Sequence, residues 1–379
     1  MRRRTQLVAL AATLVSLVGL SACQGNGPGA ASGDGGTFDV YANGDTNVQS
    51  LWTDTLIPGF EKAHPDVKVN LQFDLHDQNS SQVLAKLAAA TQQKKDPGID
   101  LVEGLAQQAG DAGLLADPTG KVSNLSLIDS KVMASAGKNA IPYRGSSVLL
   151  AYDPAHVTDP PKTLDELLTW IRNHPGKFAY NSPKSGGSGG AFVATVLDKY
   201  TPADARAKMT TGYDKSLESN WDKGWQVLAS LNPDMYQKGV YPNGNNGTLE
   251  LLQSGQIWMA PVWSDQFLSG RETGIVPKSA KALQITDPSF TGGTTQIGVT
   301  AASTQQDTGF AFANWILEPA QQAAIATKIA GYPAIKLDQL PSDVQSEFAD
   351  ANIGELRPGY NSDHGNDINN LWEQKVPGH

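Results

Sequence analysis

The sequence predicts an α/β protein of two lobes with a ligand cleft between them, and three observations carry that expectation. Strand-like and helix-like patterns alternate through residues 38–117, the arrangement of a parallel sheet with helices on its faces. Residues 148–152 form a short apolar run closed by Asp153-Pro154, too brief for a helix, so they read as a buried strand in mid-chain. Such a strand carries the chain from a first lobe into a second. A chain of 379 residues is also too long for one ordinary core and sufficient for two.

The elements follow in order. Residues 38–42 alternate apolar and polar and run into the turn Asn43-Gly44-Asp45. Leu51, Leu56, Ile57 and Phe60 space as a helix that stops near His64-Pro65, and Val67, Val69, Leu71 and Phe73 alternate as a second strand. Val83, Leu84 and Leu87 open a second helix, and residues 99–102 are a third strand with Glu103 just past its end. Ligands of such sheets sit beyond the carboxyl ends of the strands. Asp45, the 78–81 loop with Ser81, and Glu103 all fall there.

Thr163, with Glu166 three residues on, signals a capping box before an apolar face of Leu164, Leu167, Leu168 and Ile171. Residues 177–180 read as a strand opening onto a glycine-rich stretch, 182–190, and a helix from 191 to 200 follows. Residues 256–262 read as a strand that carries Trp263-Ser264-Asp265 beyond its end, and 296–300 as another. A helix through Phe310 and Trp315 ends at Glu318-Pro319, and helical patterning over 321–330 stops at Gly331-Tyr332-Pro333. The remainder gives two short helical patterns joined by a polar loop, 358–366.

The first residues carry a different message. Arg2, Arg3 and Arg4, an apolar run over 7–20 and the small residues Ser21-Ala22 before Cys23 form an export signal over 1–22. Leu20-Ser21-Ala22-Cys23 resembles the bacterial lipobox, which makes Cys23, the sequence's one cysteine, the expected lipidation site. The mature chain would then hold no disulfide, and residues 23–36 read as a flexible tether. Loss of the three arginines takes the formal charge from -9 to -12. Such a surface disfavours nucleic acid and anionic membrane faces as partners.

The order of motifs resembles bacterial extracellular solute-binding proteins of ABC importers, in particular the maltose-binding-like branch. Asn43-Gly44-Asp45 with Phe60-Glu61-Lys62, Ile99-Asp100-Leu101-Val102, and Gly113-Leu114-Leu115-Ala116-Asp117 are similar to that family's opening. Tyr152-Asp153 with Pro160-Pro161-Lys162-Thr163-Leu164 resembles its crossover, and Leu251-Leu252-Gln253-Ser254-Gly255-Gln256 with Pro261-Val262-Trp263 its second-lobe helix, strand and aromatic residue. Ala311-Phe312-Ala313-Asn314-Trp315 and Gly331-Tyr332-Pro333-Ala334 resemble its return helix and last cleft loop. The resemblance implies a two-lobed periplasmic-binding-protein type II fold, each lobe a mainly parallel sheet flanked by helices, closing on ligand by a hinge. It further implies lobe one at 37–147 plus about 293–335, lobe two at 148–292, and C-terminal helices over 336–379 packing on the lobes. The expected partners are a small-molecule solute, carbohydrate first, and the permease subunits, for a monomer that needs no cofactor and touches the membrane only through the lipid on Cys23.

Sugar recognition uses flat apolar faces and planar polar groups. Trp263, Tyr143, Tyr180 and Tyr332 are the stacking candidates, and Trp170, Trp225 and Trp315 read as core. Asp45 matches a family position that bonds sugar hydroxyls. Glu103 and Asp265 can accept from hydroxyls or pair with a cation, Arg144 can fork onto a carboxylate, phosphate or vicinal hydroxyls, and Ser81 and Asn245 complete the set. Ser185 and the glycines after it could turn backbone N–H groups toward an anion. The alternatives to a carbohydrate are therefore a polyamine or an anionic metabolite. A remote one is a secreted serine hydrolase, since Gly186-Gly187-Ser188-Gly189-Gly190 fits a nucleophile elbow with His364 downstream. Asp363, His364 and Asp367 lack metal-ligand spacing and are expected to face solvent.

Overall fold

Strand β4, Ile141–Tyr152, is the axis of the molecule. The computed structural model describes residues 36–347 and 356–376, so the export signal, Cys23 and all but the last residue of the tether lie outside the described residues. The other strands are β1, Thr37–Gly44; β2, Lys68–Leu75; β3, Leu101–Glu103; β5, Met259–Trp263; β6, Lys281–Leu283; β7, Gly292–Val299; and β8, Tyr332–Pro333. Their order is β2-β1-β3-β7-β4-β5, with β6 and β8 also on β4. β1 pairs in parallel with β2 and β3, and the remaining ladders are antiparallel, so the sheet is mixed.

The first half of β4 pairs with β7 and β8, and its second half with β5 and β6. A core lies on either side of that division. One gathers Phe38, Trp52, Phe60, Ile141, Ile297, Phe312 and Trp315; the other gathers Val148, Leu150, Phe178, Phe192, Trp221, Trp225 and Met259. Trp52 and Phe312 stack at 5.5 Å in the first, and Trp221 meets Trp225 edge-on at 6.3 Å in the second. Both halves of β4 are buried, which is why only its apolar end, 148–152, was legible as a strand. Residues 141–147 interleave Pro142, Arg144, Gly145, Ser146 and Ser147, and their backbone is held by β7 rather than marked by an apolar pattern.

The helix Leu164–Asn173 forms as the capping box predicts: Glu166 N–H donates to Thr163 Oγ1 and Thr163 N–H to the Glu166 carboxylate, both at 3.2 Å. Residues 177–180 form a single bridge, Phe178 to Met259, instead of the expected strand, because Phe178 O accepts from Tyr236 N–H outside any ladder. The helix expected at 191–200 begins earlier, at Gly187. The expected polar loop 358–366 gives way at Ser362 to the helix Ser362–Lys375, whose Ile368 and Trp372 join the second core, whereas Leu340 and Val344 belong to the first. No helix among the described residues is long and apolar enough to cross a membrane.

Candidate ligand-binding cleft

A cavity of about 570 Å³ opens where the ends of β1 and β5, the start of β7 and the middle of β4 meet the start of the Gly187–Asp198 helix. Of the residues proposed from sequence, Asp45, Arg144, Ser185, Asn245, Trp263 and Asp265 line it.

Arg144 is buried at 5% exposure and organises the floor. Its Nη2 donates to Glu103 Oε1 at 3.3 Å, its Nη1 to Asp265 Oδ2 at 3.4 Å, and its Nε to Tyr143 Oη at 2.9 Å. Tyr143 Oη in turn donates to Glu103 Oε1 at 2.7 Å, and Asn43 N–H donates to Glu103 Oε2 at 3.2 Å. Burial pushes the Glu103 carboxyl up, and the Arg144 charge opposes that push. Asp265 Oδ1 also accepts from Ser146 Oγ at 2.7 Å. One guanidinium thus serves two buried carboxylates, so its charge is already matched.

Asp45 follows β1 directly and joins the two walls. Its Oδ1 lies 3.0 Å from His76 Nδ1, and its Oδ2 accepts from Asn245 Nδ2 at 2.6 Å, across 200 residues of chain. Burial raises the Asp45 carboxyl, against the pull of those two partners.

The glycine-rich stretch is capped from within. Asn245 Oδ1 accepts from Ser188 N–H at 3.2 Å, and Asn181 Oδ1 accepts from Gly189 N–H at 3.1 Å. Ser188 Oγ lies within hydrogen-bond reach of both amide oxygens, at 2.7 and 2.8 Å. These are the orphan donors of a helix start, answered by side chains of the same protein. An anion arriving at Ser185 would find these two taken and only the N–H groups of Gly186 and Gly187 open. Glycine is required at 189, where a Cβ would stand 1.8 Å from Asn181 O, and at 187 a Cβ would press on the Trp263 ring edge at 2.8 Å.

Five of the proposed residues lie elsewhere. Tyr180 is fully buried in the second core, packed on Phe192 and Tyr241, with its Oη accepting from Trp372 Nε1 at 3.1 Å. Tyr143 and Glu103, both at 0% exposure, form the layer behind Arg144 and present no face to the cleft. Tyr332 sits on β8 with its Oη 3.1 Å from Ser147 Oγ, outside the lining. Ser81 is exposed on the first turn of the Ser80–Gln93 helix, also outside it. The structure places Tyr143 within β4, Tyr332 on β8 and Tyr180 beside a lone bridge, where their rings fill cores or brace Arg144.

Ser188 is buried and bonded to asparagines, not to histidine. His364, expected at the surface, is at 0% exposure, with Nδ1 3.1 Å from Glu218 Oε1 and Nε2 accepting from Asp214 N–H at 3.2 Å. The rings of Tyr213, Trp221 and Tyr360 enclose it. No nucleophile–base pair joins Ser188 to His364, and among the described residues no group of His, Cys, Asp and Glu could hold a metal. Sequence reasoning missed His76, Asp77, Gln108, Asn181 and Gln266. Asn181, ahead of a glycine-rich helix start, carries a recognisable capping signal; the other four carry none.

Two α/β lobes joined along β4, with a polar cleft between them, define a solute-binding protein. The chain belongs to the bacterial extracellular solute-binding protein family, which matches over residues 55–350. Solved structures agree in fold. The spermidine/putrescine transporter's substrate-binding protein PotD from Streptococcus pneumoniae is 13% identical, covers 89% of this chain and 99% of its own, and has a TM-score of 0.65. The periplasmic binding protein AfuA from Actinobacillus pleuropneumoniae, with fructose-6-phosphate bound, is 14% identical over 90% of this chain and 98% of its own, at a TM-score of 0.62. An ABC transporter protein from Clostridium perfringens is 18% identical over 89% and 98%, at a TM-score of 0.62. No curated protein matches the chain in sequence.

Proposed function

We propose that this substrate-binding protein of an ABC transporter captures a small, donor-rich polar solute, carbohydrate being the first reading, and delivers it to the permease by closing its lobes. The carrying observation is the lining: Trp263 offers a flat face, and Asp45, Arg144, Asn245 and Asp265 offer planar polar groups in one cavity. Contacts from both walls favour the closed form, and the permease reads that form. The protein acts by binding alone, as an exported monomer anchored through a lipid on Cys23. The lobe division is 37–147 with about 293–335 against 148–292, with Leu340 and Val344 packing on the first lobe and Ile368 and Trp372 on the second.

The anionic alternative, which AfuA's fructose-6-phosphate brings to mind, is disfavoured at the loop, two of whose donors Asn181 and Asn245 already occupy. A polyamine, of the kind named for PotD, is the second reading, favoured by the carboxylates that Arg144 cannot all neutralise. Isothermal titration against sugars, polyamines and phosphorylated metabolites tests the function. Saturable binding that Trp263→Ala abolishes is expected, and failure of every small solute to bind would remove the solute-capture reading.

A further inference from the structure

The polarity of the cleft is one-sided, and two independent observations show it. The first is charge. Asp45, Asp77 and Asp265 line the cavity, and Glu103 lies directly behind it. Arg144 is shared between Glu103 and Asp265, Lys184 at the rim is paired with Glu373, and His76 holds Asp45. Both charged bases of the lining, Arg144 and Lys184, are therefore engaged, while carboxylates remain in excess. Asp77, open to solvent on its outer side, has its carboxyl pushed up to about 6 by burial and by repulsion from Asp74.

The second observation is an orphan. Gln266 lines the cleft at 5% exposure, its Nε2 donates to Asn246 Oδ1 at 2.6 Å, and its Oε1 is buried without a partner. Gln108 Oε1, also in the lining, is likewise buried and unpartnered. A buried acceptor left unmade costs about 1–3 kcal/mol, so both positions call for a donor that comes with the solute. Two of the donors the protein might have aimed at an anion, Ser188 N–H and Gly189 N–H, are consumed by its own asparagines.

Resting on the solute-capture reading, we infer that the solute is a cation: a small molecule bearing a protonated amine, held by the carboxylates of Asp45 and Asp265, with further N–H or O–H donors reaching Gln266 Oε1. The Trp263 face adds attraction for the same charge. A neutral sugar answers the acceptors and leaves the charge excess standing, and an anion meets repulsion. Hydroxyls on the amine are compatible with the amide-rich remainder of the lining, so an amino sugar and a linear polyamine share the recognised group and differ in the rest.

The test is calorimetric titration of the purified chain with putrescine, spermidine, glucosamine, glucose, maltose and glucose 6-phosphate. Binding confined to the amines is expected, weakened at least about thirtyfold in Asp265→Asn, with Asp45→Asn as the second variant should the first fold poorly. Glucose, maltose or glucose 6-phosphate binding as tightly as the amines would overturn the cation while leaving solute capture intact. Absence of saturable binding to every probe would overturn both.

Discussion

The start of the Gly187–Asp198 helix and the floor around Arg144 face one cavity and are built on opposite terms. At the helix start, two asparagines from the protein answer the N–H donors of Ser188 and Gly189, so of the donors there only those of Gly186 and Gly187 are left for a ligand. Around Arg144, carboxylates exceed the one guanidinium, and an amide oxygen stays unpaired. The difference teaches that a cleft's preference lies in the groups the protein leaves unmatched, not in the types of residue that line it. A glycine-rich loop before a helix looks like an anion cradle until its caps are counted.

The largest expected effect breaks the floor. Arg144→Ala strands Glu103 at 0% exposure without its counter-ion, and removing one partner of a buried pair costs about 3–5 kcal/mol. Urea unfolding measures it, and a loss below about 1 kcal/mol would show that Tyr143 and the Asn43 N–H suffice for that carboxylate. A middle effect sharpens the other side. Asn245→Ala removes the acceptor of Ser188 N–H and the donor to Asp45, for a loss of about 1–2 kcal/mol at the helix start. The freed N–H should also give inorganic phosphate a thermal shift that the parent protein lacks; equal responses in both would dissolve the contrast between the two regions.

The smallest effect is a matter of pH. Asp77 has a carboxyl at about 6 in the folded state against 3.8 as its ordinary value. Between those values the folded chain keeps a proton that the unfolded chain has released, so this contribution to stability is present below about pH 4 and lost as pH rises through 6. Relative to Asp77→Asn, the parent protein should lose melting temperature across that window. Parallel curves for the two would take Asp77 out of the carboxylate excess.

The lobes were readable because apolar period and turn chemistry announce them: Val67 to Phe73 alternate, Thr163 and Glu166 cap, and Leu164, Leu167 and Ile171 share a face. The first half of β4 was not, since Arg144, Gly145 and Ser146 interrupt any apolar pattern and are fixed by partners more than a hundred residues away. The cleft was half legible. Asp45 and Asp265 stand just past strand ends and Trp263 closes β5, where topology directs attention. Tyr180 ends a segment with the same strand-like signal in the sequence, yet its ring completes a core with Phe192 and Trp372, and no local pattern distinguishes the two outcomes. Gln266 carries no signal in the sequence, because an orphan atom exists only once its neighbours are known.

Trp263 has a consequence for how the molecule reports on itself. Of the chain's eight tryptophans, it is the one in the cleft lining; Trp52, Trp221, Trp225, Trp315 and Trp372 are locked in cores, and Trp170 and Trp258 lie stacked on His174 and His156. Solute entry therefore disturbs the emission of one indole against a steady background from seven. The carrier comes with its own optical gauge of occupancy, readable in real time and without a label.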